Sequence, residues 1–252
     1  TDSYIENQAG DAGRLQGGAN YNAIRQTTML TVSAGYAGLT LSGSDRNVVA
    51  GSSIQSLLGR ALYVAGSSTN TVLDSFIQGS TAVYIDGSTG TVIGGSVLTV
   101  TDVFGSGLVL SSGSVNLTLT TSTFSGGSSG SAIDLAAGNS GVITLTSNTV
   151  NGGLWGVAIA TMNCGGTCNG NIMISSLIVA GPMTGGGTAI YFKGGSFIST
   201  FSYVSFDDAG LGFNVNGSPL NTASRITMKS DTGVLTGSAY ESDTNGLVDW
   251  TP

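Results

Sequence analysis

Short runs in which apolar and polar residues alternate recur along this chain as a single phrase. Residues 61–66 read ALYVAG and residues 82–87 read AVYIDG, 21 positions on. Aligned on that phrase, eight copies follow one another: AGLTLSG (37–43), RALYVAG (60–66), TAVYIDG (81–87), SGLVLSS (106–112), SAIDLAA (131–137), GVAIATM (156–162), TAIYFKG (188–194) and AGLGFNV (209–215). The apolar pairs are Leu39/Leu41, Leu62/Val64, Val83/Ile85, Leu108/Leu110, Ile133/Leu135, Val157/Ile159, Ile190/Phe192 and Leu211/Phe213. Their first members are 23, 21, 25, 25, 24, 33 and 21 positions apart. Alternation with period two predicts strands, not helices.

A second ladder runs between the copies. Its anchors are apolar residues five apart: Val49/Ile54, Val72/Ile77, Val92/Val97, Leu119/Phe124, Leu145/Val150, Met173/Ile178 and Phe201/Phe206. A small or polar residue sits two places before most second anchors: Ser52, Ser75, Gly95, Ser122, Asn148 and Ser176. The intervening pieces, such as GSSTN and SGGSSGS, are turn chemistry. Short strands and turns recurring in one order predict a solenoid, in which each coil buries its apolar residues against like residues of its neighbours. The strands are too closely spaced for crossover helices. An antiparallel sandwich would not need its phrases to recur in the same order.

With repeats such as NVVAGSSIQ…GRALYVAG and LTLTTSTF…GSAIDLAAG, the chain resembles the right-handed parallel β-helix superfamily of pectate-lyase-like enzymes, adhesin passengers and tailspikes. The resemblance covers roughly residues 29–220. The expected fold is all-β, a single right-handed parallel β-helix of about 8 coils, about 40 Å long at ~4.8 Å per coil. The expected organisation is an N-terminal cap or docking segment over 1–28, the β-helix over 29–223 with an insertion loop at about 161–187, and a C-terminal cap or docking segment over 224–252. The ends are expected to cover or extend the strand edges that a solenoid exposes.

Composition narrows the function. Charged residues make up 8% of the chain, against about 25% in ordinary domains, and the net charge is −7. Residues 61–192 hold no Lys or Arg. Nucleic-acid binding depends on phosphate neutralisation, so it is not expected; nor is binding to anionic lipid. No run of 18 or more apolar residues occurs, so membrane insertion is not expected either. The basic-free interval also lacks trypsin sites, which suits an extracellular or cell-surface location. Thr1 is not a Met, and the sequence reads as a mature form or an excised fragment. Cys164 and Cys168, in NCGGTCNG, are placed closely enough for a loop-pinning disulfide in an oxidising compartment. Free thiols are the alternative. A zinc site lacks further ligands, because the chain has no His.

Catalytic chemistry finds little support. The resemblance implies, for polygalacturonase-like members, three Asp on one face with a His and a basic motif beside them. Here Asp207 and Asp208 in SFDDAG precede RITMK (225–229), but the earlier Asn-Thr-Asp is missing. Hydrolysis by paired carboxylates or a base-catalysed elimination needs convergent titratable groups. Asp207 and Asp208 are therefore candidate catalytic residues only under the alternative reading, an acidic-polysaccharide lyase or hydrolase; otherwise they are a turn pair. Thr118/Thr120 and Thr144/Thr146 make a Thr-x-Thr array two rows deep, followed by Ile172/Ile174, which is too short for an ice-binding face. No cofactor or metal is expected.

The outward position of the phrase reads Thr40, Tyr63, Tyr84, Val109, Asp134, Ala158, Tyr191, Gly212. Tyr63, Tyr84 and Tyr191 are candidate binding residues, because exposed rings contact sugars or a neighbouring protein. The reading that follows is a non-enzymatic secreted subunit that stacks head to tail on copies of itself into a filament or surface layer. Surface glycans are a second partner. The alternative is an adhesin, autotransporter-like or phage tailspike-like β-helix that binds glycans; GGTAI (186–190) and FNVN (213–216) resemble phrases of outer-membrane adhesins.

Overall fold

The computed structural model describes residues 2–111, 113–136, 138–159, 171–180, 187–192, 198–202, 205–214, 225–229, 234–242 and 248–251. Among them the regular elements are strands, and the ladders between coils are parallel. A coil visits three sheets in turn: Ser53–Ser56 on the first, Arg60–Ala65 on the second and Thr71–Leu73 on the third. The chain then returns to the first sheet at Phe76–Gly79. Each new strand lies in register on the one before, Ile77 on Ile54, Val83 on Leu62 and Ile93 on Val72.

The eight phrases are the second-sheet strands Leu39–Ser42, Arg60–Ala65, Thr81–Asp86, Leu108–Ser111, Ser131–Leu135, Trp155–Ile159, Thr188–Phe192 and the end of Ser205–Asn214. Their inward residues stack as Leu39, Leu62, Val83, Leu108, Ile133, Val157 and Ile190, and all are buried. The last step differs from expectation. Ile190 pairs with Phe213 and Tyr191 with Asn214, not with Gly212. A two-residue slip keeps the alternation of faces, so the pattern alone cannot detect it.

The second ladder needs a larger correction. In the third and sixth coils the buried residues are Ile93, Leu98, Ile174 and Val179, while Val97, Met173 and Ile178 are exposed at 41%, 47% and 47%. Val92-Ile93, Val97-Leu98 and Ile178-Val179 are apolar doublets, so alternation leaves their frame ambiguous. A one-residue shift turns every side chain to the other face. The Thr-x-Thr rows do stack, Thr144 on Thr118 and Thr146 on Thr120, but the next row is Met173/Ser175, with Ile172 and Ile174 buried.

Two columns of small polar residues hold the corners. Between the second and third sheets, the backbone N–H of Ser44 donates to Ser67 Oγ at 3.1 Å, that of Ser67 to Ser88 Oγ at 3.2 Å, that of Ser88 to Ser114 Oγ at 3.2 Å and that of Ser114 to Asn139 Oδ1 at 3.0 Å. Between the third and first sheets the same relay runs through Ser52, Ser75, Ser96, Ser122 and Asn148. Ser96, not Gly95, occupies this column. A turn N–H buried without a partner costs about 1–3 kcal/mol; each hydroxyl or amide oxygen satisfies the one stacked against it. The corner between the first and second sheets relies instead on close backbone approach. A Cβ on Gly105 would lie 2.0 Å from the Ser80 carbonyl oxygen.

The terminal segments continue the same sheets. Ser3–Asn7, Gly13–Gln16 and Ala23–Arg25 pair with Thr27–Thr31, Leu39–Ser42 and Val48–Ala50. Arg225–Lys229, Val234–Ser242 and Val248–Thr251 extend the other end. Within 161–187, Asn171–Ser175 and Ile178–Ala180 are ordinary strands of the third and first sheets. Cys164 and Cys168 lie outside the described residues.

Candidate binding groove

The connections between the first and second sheets vary in length. They span residues 32–38, 57–59, Ser80 alone, and 101–107 in successive coils. The corner therefore dips at Ser80 between longer neighbours. A groove of about 480 Å³ lies against the outer face of the second sheet there. Its polar lining is Asp11, Arg14, Thr40, Arg60, Ser80 and Thr81, and its rings and aliphatic side chains are Tyr36, Leu58 and Tyr63.

The second-sheet column supplies the floor. Arg14 lies beside Thr40, Thr40 beside Tyr63 and Tyr63 beside Tyr84. The rings of Tyr63 and Tyr84 meet edge to face, centroids 6.0 Å apart at 66°. Arg60 precedes the phrase on the same strand, and its guanidinium carbon sits 4.7 Å from the Tyr63 centroid and 3.8 Å from that of Tyr84. The ring quadrupole attracts a cation placed over its face. Tyr63 donates its hydroxyl proton to Asp86 Oδ2 at 3.2 Å, and Ser111 Oγ donates to the Tyr84 hydroxyl at 3.0 Å. Partial burial, then the adjacent Asp86 charge, raise the Tyr63 pKa above its ordinary 10.0, more than Arg60 lowers it. Asp11 holds Arg14 at 3.3 Å and accepts the Ala37 N–H at 2.9 Å.

Of the three tyrosines read from the sequence, Tyr63 and Tyr84 come together and Tyr191 does not join them. Tyr191 lies four coils beyond Tyr84 in the same column, about 19 Å along the axis at ~4.8 Å per coil. It stacks on Trp155, centroids 4.9 Å apart at 8°, and is 9% exposed. Trp155 was missed because it stands ahead of its phrase, at the position that Ser131 and Thr188 occupy in neighbouring coils. Arg60 was missed too; its signal was being the one basic residue attached to a phrase before Lys193. A smaller pair of the same kind, Arg46 over Tyr21 at 5.4 Å, lies at the corner of the second and third sheets.

Asp207 and Asp208 belong to Ser205–Asn214, with Asp207 beside Val234; their side chains lie outside the described residues. Among the described residues no group of three or more His, Cys, Asp or Glu gathers as a metal site. No helix among them is long and apolar enough to cross a membrane.

Residues 17–173 match the family model described as the right-handed β-helix region. No curated protein matches the chain. Among solved structures, the tailspike protein of Pseudomonas phage LKA1 superposes with a TM-score of 0.55 at 10% identity, over 94% of this chain and 49% of the tailspike. This chain thus spans about half the tailspike's length. The polygalacturonase of Erwinia carotovora superposes with a TM-score of 0.56 at 11% identity, over 99% of this chain and 89% of the enzyme. At these identities the likeness is one of fold.

Proposed function

This chain belongs to the right-handed β-helix family, and we propose that it is a non-enzymatic extracellular structural subunit whose copies join end to end. The observation that carries this reading is the in-register parallel stacking of the coils from the first strands to the last, which a further coil can continue. Ile5, Leu15 and Ile24 continue the columns of Met29, Leu41 and Val49. Those three partners are 4%, 0% and 0% exposed, whereas Ile5 is 39% exposed and Leu15 and Ile24 are only half-buried. Among the described residues, Ser3–Asn7, Gly13–Gln16 and Ala23–Arg25 are each paired on one side only. Val234–Ser242 and Val248–Thr251 offer the opposite edges of the second and third sheets at the other end. A second copy in the same orientation would extend the second and third sheets, which is a heterologous contact that propagates. Low charge favours it, since stacked copies repel one another little.

Non-enzymatic character is part of the proposal. Only one carboxylate, Asp11, is among the described residues lining the groove, and Arg14 holds it. Release of reducing sugar or unsaturated product from acidic glycans, abolished by Asp207→Asn, would overturn this part.

Sedimentation velocity tests the end contact. The 25.1 kDa chain is expected to form larger species as concentration rises. Ile5→Lys, which puts a charge into the joint, is expected to weaken association at least tenfold, about 1.4 kcal/mol. A wild-type protein that remains a monomer at every concentration would refute the contact. A glycan-binding rod is the second reading, favoured by the Arg60–Tyr63–Tyr84 arrangement.

A further inference from the structure

We propose that Asn116 is a modification site, the acceptor of an N-linked oligosaccharide on the side of the rod. The inference rests on the extracellular part of the proposed function and is independent of end-to-end joining. Asn116, Leu117 and Thr118 form the acceptor sequence, an Asn followed two places on by a hydroxyl residue with no Pro between them. The other such sequence in the chain begins at Asn216, outside the described residues.

Asn116 lies near the start of the third-sheet strand Val115–Thr120. Val115 pairs with Ser140 and Leu117 with Ile143, so Gly141 and Val142 together face Asn116 in a bulge. Its backbone is left-handed, with φ at 58°, a conformation that Asn tolerates. Its Oδ1 closes the bulge by accepting the Val142 N–H at 2.8 Å. Among the described residues its Nδ2 donates to none. The bulge therefore accounts for the amide oxygen and leaves the nitrogen without a structural task. Glycosylation at Nδ2 keeps the oxygen as a carbonyl, so the contact with Val142 survives it.

Space and exposure agree with this. Asn116 is exposed, and Thr118 stands half-buried two residues on, on the same face of the strand. In the coil before, Thr89 pairs with Val115 and Thr91 with Leu117, which puts Gly90 opposite Asn116. In the coil after, Gly141 is its neighbour. Neither carries a side chain to wall off the first sugar. In the transfer, Nδ2 forms a bond to the anomeric carbon of an oligosaccharide carried on a polyisoprenyl diphosphate. The bond from that carbon to the diphosphate oxygen breaks, its electron pair leaves with the diphosphate, and the amide gives one proton to a base of the transferase. The nearby residues Thr118, Thr120, Thr144 and Thr146 carry no charge, so a hydrated glycan at Asn116 keeps rods from packing side to side and leaves the end strands clear.

Mass analysis of the whole chain, directed by a cleavable leader into the secretory pathway of cells that attach N-linked glycans, tests the assignment. Chain from which the leader has been removed is taken from cells and medium alike, so the result does not depend on release. Trypsin has no site in 61–192, but cleavage on the amino side of Asp102 and Asp134 isolates residues 102–133, which hold Asn116 and no other acceptor sequence. That peptide is expected to carry a glycan and to lose it to peptide-N-glycosidase, which leaves an aspartate at the attachment point. Thr118→Val, which keeps Asn116 and its bulge contact, is expected to abolish the adduct, and Thr118→Ser to retain it. Asn116→Gln is expected to abolish it too; the Thr118 pair serves if that variant does not fold. An unmodified 102–133 peptide from the wild type would overturn the site. A glycan that persists in Thr118→Val or resists peptide-N-glycosidase would overturn N-linkage at Asn116. Sedimentation of the same samples reads end-to-end joining separately, so failure of that contact is distinguishable from failure of this site.

Discussion

Phe124→Ala is expected to destabilise the middle of the rod by about 3–5 kcal/mol, the usual cost of truncating a buried Phe. Phe124 is the largest fully buried side chain among the described residues. It lies on the first sheet, with Leu98 beneath it and Val150 above. No neighbouring coil can move in to fill the space, because each is held at ladder spacing by its own backbone hydrogen bonds. In a solenoid each coil contacts chiefly its neighbours, so the loss stays local. Thermal denaturation should therefore show an earlier, broader transition. Hydrogen exchange should rise first at Val97–Val100, Thr123–Ser125 and Thr149–Asn151. Phe124→Leu should retain most of the stability. An unchanged melting profile for Phe124→Ala would mean that Phe124 does not occupy the core column.

Asn148→Ala is expected to have a comparable effect for a different reason. Asn148 is 1% exposed. Its Oδ1 accepts the Ser122 N–H at 3.0 Å, and its Nδ2 donates to the Leu119 carbonyl at 2.9 Å. Alanine leaves the Ser122 N–H buried and unpaired, at about 1–3 kcal/mol, and removes the amide bond to the Leu119 carbonyl, at about 1 kcal/mol, or roughly 2–4 kcal/mol together. Asn148→Ser distinguishes this cause from a loss of volume. Serine holds the same place in the preceding coils, where Ser75, Ser96 and Ser122 accept the N–H below them at 3.1–3.2 Å. The serine variant should therefore recover about half of the loss or more in chemical denaturation. Equal damage from alanine and serine would place the stabilisation in packing instead of the corner relay.

The coil was legible because the phrase that builds the second sheet alternates cleanly. In RALYVAG and TAVYIDG an apolar pair brackets one outward residue, and no doublet disturbs the frame. That clarity also brought Tyr63 and Tyr84 together correctly. The second ladder was harder to read where doublets occur. Between Val97 and Leu98 hydrophobicity is neutral, and the choice falls to Ser96, whose hydroxyl must meet the Ser75 N–H. Such corner contacts belong to residues a full coil apart. The groove was least legible of all. It arises from the difference in length between connections at one corner, with a single residue at Ser80 flanked by 57–59 and 101–107. Arg60 gains its place there from a side-chain conformation that lays it across rings of two coils. Tyr191 shows the opposite case: its position in the column was right, but Trp155 covers it, and the phrase says nothing about residues that precede it.

Electron microscopy of the purified 252-residue chain in negative stain, with Ile5→Lys beside it, tests end-to-end joining most directly. The expected result is long uniform fibres one rod wide for the wild type, and single rods for the variant. Wild-type protein seen only as separate rods, at concentrations where sedimentation also finds no larger species, would contradict the filament.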